Sequence, residues 1–207
     1  MTLFSRPLLK LFASSLILTS LAACSVNPVT GEQQFSLVSA GQEVNIGRKQ
    51  YIPSQQSQGG RYSVDPDLSL YVSQVGKRLA AVSDRPGLPY EFVVLNNDIP
   101  NAWALPGGKI AINRGLLTQL DDEAQLAAVL SHEIVHAAAR HGATQMTRGM
   151  LLGIGGQLAG VASQGSGYGD LVTQGSQIGS ALWQARYGRD HELESDCYGM
   201  RYMALAG

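Results

Sequence analysis

His132-Glu133-Ile134-Val135-His136 constrains this chain more than any other five residues in it. Ala124, Leu126, Val129, Leu130, Ile134 and Ala137 surround it with apolar side chains, and no Pro or Gly interrupts 123–139. That pattern predicts one unbroken helix. On a helix the two imidazoles lie one turn apart, with Cβ atoms about 5–6 Å from each other. Both can then reach a single ion at the roughly 2.0–2.1 Å of a zinc–nitrogen bond. Glu133 is rotated away from the pair, so it is free to lean over the open side of the ion as a general base. Asp121-Asp122-Glu123 place negative charge where the free N–H groups of the helix start need it, and Gly142, just after Arg140-His141, is expected to end it.

Two ligands are too few, because a catalytic zinc site takes three from the protein plus a water. The pattern with a third histidine ten residues after the first fails, since that position is Gly142. His141 comes one residue early and, on a continuous helix, lies off the face of His132 and His136. The third ligand is therefore expected from Arg189-Asp190-His191-Glu192-Leu193-Glu194-Ser195-Asp196. Glu192 and Asp196 share a helix face there, so one carboxylate can bind a metal while the other orients a ligand imidazole. Chemistry leaves Glu192, Glu194, Asp196 and His191 all open.

The N-terminus narrows the setting. Met1–Ala23 has Arg6 and Lys10 but no acid, then a short apolar stretch and small residues, the layout of a secretory signal. The apolar part is too short for a bilayer span of roughly 20 residues. Leu21-Ala22-Ala23-Cys24 resembles the lipobox of bacterial lipoproteins, which implies lipidation of Cys24; Ser25 in place of Asp then implies sorting to the outer membrane. A lipid there leaves Cys197 alone, expected as a small buried apolar residue. Lys+Arg 15 against Asp+Glu 16 leaves no basic surplus for nucleic acid. Two cysteines cannot build a disulfide-dense fold.

Between leader and motif, Ser25 to about Gln34 is polar and turn-rich and suits a tether. Ser39 and Gln42 have capping-box spacing and open a helix that Glu43 favours. Gln50 to Ser63, with Pro53 and Gly59-Gly60, is expected as a loop. Asp65-Pro66-Asp67 opens a second helix with Leu68, Val72, Val75 and Leu79 on one face, stopped by Asp84-Arg85-Pro86-Gly87. Tyr90 to Leu95 reads as a strand. Asn101 to Leu105 and Lys109 to Asn113 read as two more, joined by Pro106-Gly107-Gly108. A short helix is expected around Leu116 to Leu120. Gly149 to Gly179 carries almost no charge and is expected as a pair of loosely specified helices with a flexible Ser163 to Asp170 connector, the alternative being a mobile flap over a site or a membrane-touching hairpin.

His-Glu-Ile-Val-His-x4-His, followed some fifty residues later by Glu-x-x-x-Asp, resembles the M48 family of zinc metallopeptidases. Asn101-Ala102-Trp103-Ala104-Leu105-Pro106-Gly107-Gly108 and Arg114-Gly115-Leu116-Leu117 are similar to the family's stretch before its active helix. Asn27-Pro28-Val29-Thr30-Gly31 is similar to the start of its lipoprotein branch. The resemblance implies an α+β fold, mainly helical and zincin-like, with a small sheet whose edge lies beside the motif helix. It implies one zinc per chain on His132, His136 and Glu192, Glu133 as catalytic base, and Asp196 as partner of a ligand histidine. The organisation it implies is a signal peptide at 1–23, a lipidated N-terminus and tether at 24–38, and a peptidase domain at 39–207. Family members continue beyond the position of Gly207, so a short member or a fragment is expected. Ser195 stands where the family often has Ala.

The implied function is a zinc-dependent endopeptidase, lipid-anchored in the bacterial periplasm at the inner face of the outer membrane, acting on unfolded or misassembled polypeptides. The alternative is a chaperone or assembly factor for outer-membrane proteins with little proteolysis. An extended peptide can be held as an added strand on a sheet edge, and Lys109 to Asn113 is the expected edge. Tyr187, Arg189 and His191 are candidate oxyanion donors, unranked. Lacking transmembrane helices, the chain is not expected to process prenylated peptides within the bilayer.

Overall fold

A computed structural model describes residues 24–163 and 187–207. The leader at 1–23 and residues 164–186, which hold nearly all of the expected Ser163 to Asp170 connector and the stretch beyond it to Gly179, lie outside the described residues. The chain begins with an antiparallel pair, β1 (Cys24–Val26) and β2 (Gln33–Phe35). Helices α1 (Ala40–Ser57) and α2 (Pro66–Ala81) follow, then strands β3 (Glu91–Leu95), β4 (Ala102–Leu105) and β5 (Lys109–Asn113). A short α3 (Arg114–Leu117) leads into α4 (Glu123–Ala138), α5 (His141–Ser163) and α6 (Arg189–Ala206). The result is α+β and mainly helical. No helix among the described residues is long and apolar enough to cross a membrane.

The sheet order is β3-β5-β4, with β5 parallel to β3 and antiparallel to β4. Alternate side chains serve opposite faces. Phe92, Val94, Ile110 and Ile112 pack with Val72, Leu79, Leu130, Ile134 and Tyr202 of α2, α4 and α6. Val93, Leu95 and Ala111 pack with Tyr51 of α1. A sheet covered on both faces explains why these strands read as apolar runs without alternation. It also corrects the expected edge. Lys109 to Asn113 is the central strand, because Asn113 and its neighbours face Leu95 on one side and Ala102 on the other. The edge beside the motif helix is β4, which packs on α4. Gly107 and Gly108 turn β4 into β5 at φ 78° and 85°, a region that favours glycine.

Several local expectations hold. Ser39 and Gln42 form both halves of a capping box, Asp65 caps α2, and Asp122 caps α4 by accepting from the Gln125 N–H. Others are corrected. Gln50 to Ser57 is helical despite Pro53, because Tyr51 and Gln55 are buried and tertiary packing outweighs the roughly 3 kcal/mol of an interior proline. The short helix sits two residues earlier than expected. Ser25 to Gln34 is folded onto the domain, with Asn27 and Val29 buried and Gln34 donating to the Ala139 carbonyl at 3.4 Å. Cys197 is exposed. The buried residues of α6 are Ser195, Gly199 and Tyr202, and Cys197 lies between them on the other face.

Gly142 does not end the motif helix. The break is at Arg140, whose φ is 67°, and α5 starts directly at His141. A left-handed non-glycine residue costs on the order of 1–3 kcal/mol. Long-range contacts hold it there. Arg140 Nε donates to buried Glu43 Oε2 at 3.1 Å and Nη2 donates to the Val38 carbonyl at 2.6 Å. Arg85 reaches the same Glu43 oxygen at 3.2 Å and gives a second N–H to the Ala137 carbonyl at 3.3 Å. One free carbonyl of the helix end is thereby satisfied.

Candidate metal centre

Among the described residues α4 and α6 make the most extensive helix pairing and bring the two halves of the site together. Gly199 of α6 permits the approach: a Cβ there would lie 3.1 Å from Ser131 Oγ and 3.2 Å from the His132 amide nitrogen. His132 and His136 project from one face of α4, and their Nε2 atoms converge at 3.0 Å. Glu192, in the first turn of α6, faces both, with Oε2 3.5 Å from His132 Nε2 and Oε1 3.6 Å from His136 Nε2. One ligand atom from each of these three residues falls within 4.8 Å of the others. Glu133 is buried beside them, and burial first, then the Glu192 charge, pushes its carboxyl up to about 8.

The outer nitrogens of both imidazoles are engaged as well. His132 Nδ1 lies 2.9 Å from Asp196 Oδ1, the relation expected from the i, i+4 spacing of Glu192 and Asp196. His136 Nδ1 lies 2.9 Å from the Nδ1 of His141, which is no member of the His/Glu cluster but is placed by sequence spacing off the face of that histidine. That placement assumed a continuous helix. The break at Arg140 resets the phase, and His141 swings back over His136. Burial, reinforced by neighbouring histidines, lowers the pKa of both His136 and His141 far below the ordinary imidazole range, so both are neutral.

The remaining candidates fall around this pair. Tyr187 stacks on His136 with ring centroids 4.0 Å apart, and burial pushes its phenol pKa up. His191 stacks on His141 with ring centroids 4.0 Å apart. Glu194 Oε1 lies 3.3 Å from His141 Nε2 and accepts from Asn27 Nδ2 at 2.8 Å. Arg189 is exposed. Of the four groups left open for the third position, Glu192 alone faces both Nε2 atoms among the described contacts.

The donor set suits a metal. Two Nε2 atoms 3.0 Å apart can share at most one proton between them, whereas a cation satisfies both and the facing carboxylate at once. Two imidazole nitrogens and a carboxylate are a donor set that zinc takes.

Comparison with known proteins bears on the family of this chain. The chain is 30% identical over 187 residues to the β-barrel assembly-enhancing protease of Escherichia coli (strain K12), covering 87% of this chain and 38% of that protein. It is 38% identical over 121 residues to the mitochondrial metalloendopeptidase OMA1 of Schizosaccharomyces pombe, covering 58% of this chain and 36% of that one. Metalloprotease YcaL of Escherichia coli is 28% identical over 144 residues, with 65% of this chain and 54% of that protein covered. The chain thus spans only 38% of the length of the first of these relatives. The model of peptidase family M48 matches residues 66–207, which include every residue of the His/Glu cluster. With two-thirds of its length matched, the chain belongs to peptidase family M48, a family of metallopeptidases.

Proposed function

We propose that this protein is a zinc-dependent endopeptidase of the bacterial cell envelope, acting on unfolded or misassembled polypeptides. The observation that carries this reading is the convergence of His132 Nε2, His136 Nε2 and the Glu192 carboxylate beside buried Glu133. His132, His136 and Glu192 hold one zinc ion, and Asp196 fixes the ring of His132. A zinc ion there supplies Lewis acidity to the attacking water and the scissile carbonyl. Glu133 takes the proton of the water and returns it to the leaving amine. β4, with β5 on one side and no second strand on the other among the described residues, offers main-chain groups to an extended peptide. Such binding reads backbone more than side chains, which fits unfolded substrates.

The envelope setting rests on the leader and lipobox-like Leu21-Ala22-Ala23-Cys24, with lipid on Cys24 holding the protein at the inner face of the outer membrane. The name of the 30%-identical relative, a β-barrel assembly-enhancing protease, points to the same compartment and to assembly quality control.

Zinc analysis and a casein-cleavage assay of wild type and Glu133→Gln test the mechanism. The variant should keep its zinc and lose cleavage. Equal cleavage by both would sink the proposal, and a wild type that preserves client folding without cutting would favour the chaperone. Cys24→Ser should move the protein from the membrane to the soluble fraction.

A further inference from the structure

Resting on that reading of the site, we propose that His141, backed by Glu194 and Asn27, is a positioning residue that sets the tautomer of the ligand His136. The relay can be given its direction from one unambiguous donor. The Val29 backbone N–H can only donate, and it points at Asn27 Oδ1 at 2.9 Å. The Asn27 amide is thereby oriented with Nδ2 outward, and Nδ2 donates to Glu194 Oε1 at 2.8 Å. A carboxylate accepts only. Among the described residues His141 Nε2 is buried and has no hydrogen-bond partner; the group facing it is the same Glu194 Oε1 at 3.3 Å, and beside that negative charge Nε2 is the nitrogen that carries the His141 proton. Its contact with Glu194 is close but lacks hydrogen-bond alignment, so it acts by charge.

With the proton on Nε2, His141 Nδ1 is bare. It lies 2.9 Å from His136 Nδ1, which must then be the donor. His136 consequently keeps its Nε2 lone pair free on the side where His132 and Glu192 converge. The reverse arrangement, His141 donating from Nδ1, would place the His136 proton on Nε2 and block ligation. Ring stacking holds the planes in place: His191 on His141 at 4.0 Å with 11° between planes, and Tyr187 on His136 at 4.0 Å with 16°. Ligand histidines usually give their other N–H to a carboxylate, carbonyl or water. Here His132 follows that habit through Asp196, while His136 uses a second histidine whose far nitrogen faces a carboxylate tied to the N-terminal segment.

The test uses the full chain and two readouts. Competition with a chromophoric chelator gives Zn2+ affinity. Nitrogen-15 spectra of the zinc-free protein give the His136 tautomer. Wild type should show His136 protonated at Nδ1. His141→Leu should bind Zn2+ about 10–100-fold more weakly and shift His136 toward the Nε2–H form. His141→Asn, whose side-chain oxygen can still accept from His136 Nδ1, should recover most of the affinity and the wild-type tautomer. Glu194→Ala, at the outer end of the relay, should weaken affinity in the same direction and carries the test if His141→Leu does not fold. Unchanged affinity in the folded Leu or Ala variant, or a wild-type His136 protonated at Nε2, overturns the proposal. A wild type that binds no Zn2+ would sink the proposed function instead, and the tautomer of His136 would still decide this inference.

Discussion

Asp196 and His132 stand 64 residues apart in the chain and on different helices, yet Asp196 Oδ1 lies 2.9 Å from His132 Nδ1. The contact leaves His132 Nε2 aimed at His136 and Glu192. Its worth is in aim, since Asp196 is exposed and a surface ion pair alone contributes little. Asp196→Ala should therefore lower Zn2+ affinity about 10–100-fold while leaving thermal unfolding of the zinc-free protein nearly unchanged. Asp196→Asn, which keeps an acceptor oxygen, should lose less. Chelator competition and calorimetry check both.

Glu192 is the single carboxylate facing both Nε2 atoms among the described contacts. Removing it leaves two imidazoles, one ligand short of a catalytic zinc site. Glu192→Ala should give protein that no longer retains stoichiometric zinc after gel filtration, measured by atomic emission. Retention at wild-type levels would reopen the choice of third ligand.

The buried carboxylate of Glu43 is shared by Arg140 and Arg85, at 3.1 and 3.2 Å. Deleting one member of a buried ionic cluster strands the others. Glu43→Ala should cost about 3–5 kcal/mol in urea unfolding. Because Arg140 is also the residue that reverses the chain between His136 and His141, the variant should lose Zn2+ affinity as well.

Acid should destabilise the zinc-free protein by way of its buried histidines. The folded pKa of His136 and of His141 is depressed below the ordinary 6.5. The unfolded chain therefore binds more protons than the native one as pH falls below about 6.5, and native stability falls with it. The stability these groups contribute is fully present above that pH and is lost on descent through the folded values. Urea unfolding between pH 7.5 and pH 4 should show a slope of up to about 1.4 kcal/mol per pH unit for each histidine that takes up its proton on unfolding. His141→Asn should flatten it.

What was legible in the sequence was local. The i, i+4 spacing of His132 and His136, the caps at Ser39, Asp65 and Asp122, and the hairpin glycines each report on the few residues around them. What was not legible depended on distant partners. Nothing near Arg140 announces a left-handed residue, because the carboxylate that holds it belongs to Glu43, 97 positions earlier. The same blind spot hid His141, since a rotation argument survives only while the helix does. Pro53 misled for a related reason: its local penalty is overruled by Tyr51 and Gln55 packing inward. Strand order was equally out of reach, for the Ile110-Ala111-Ile112 centre of that strand reads the same whether central or at an edge.

The docked hairpin of β1 and β2 bears on reach. Asn27 is pinned to Glu194, Gln34 to Ala139, and the Leu37 amide to Thr147 at 3.0 Å, so the chain pays out no slack between Cys24 and the domain. A lipid on Cys24, as proposed, would then act as a fixed mount and not as a leash. The cutting edge would work at one height above the bilayer, and a chain would be a substrate according to how near the membrane plane its unfolded stretch emerges.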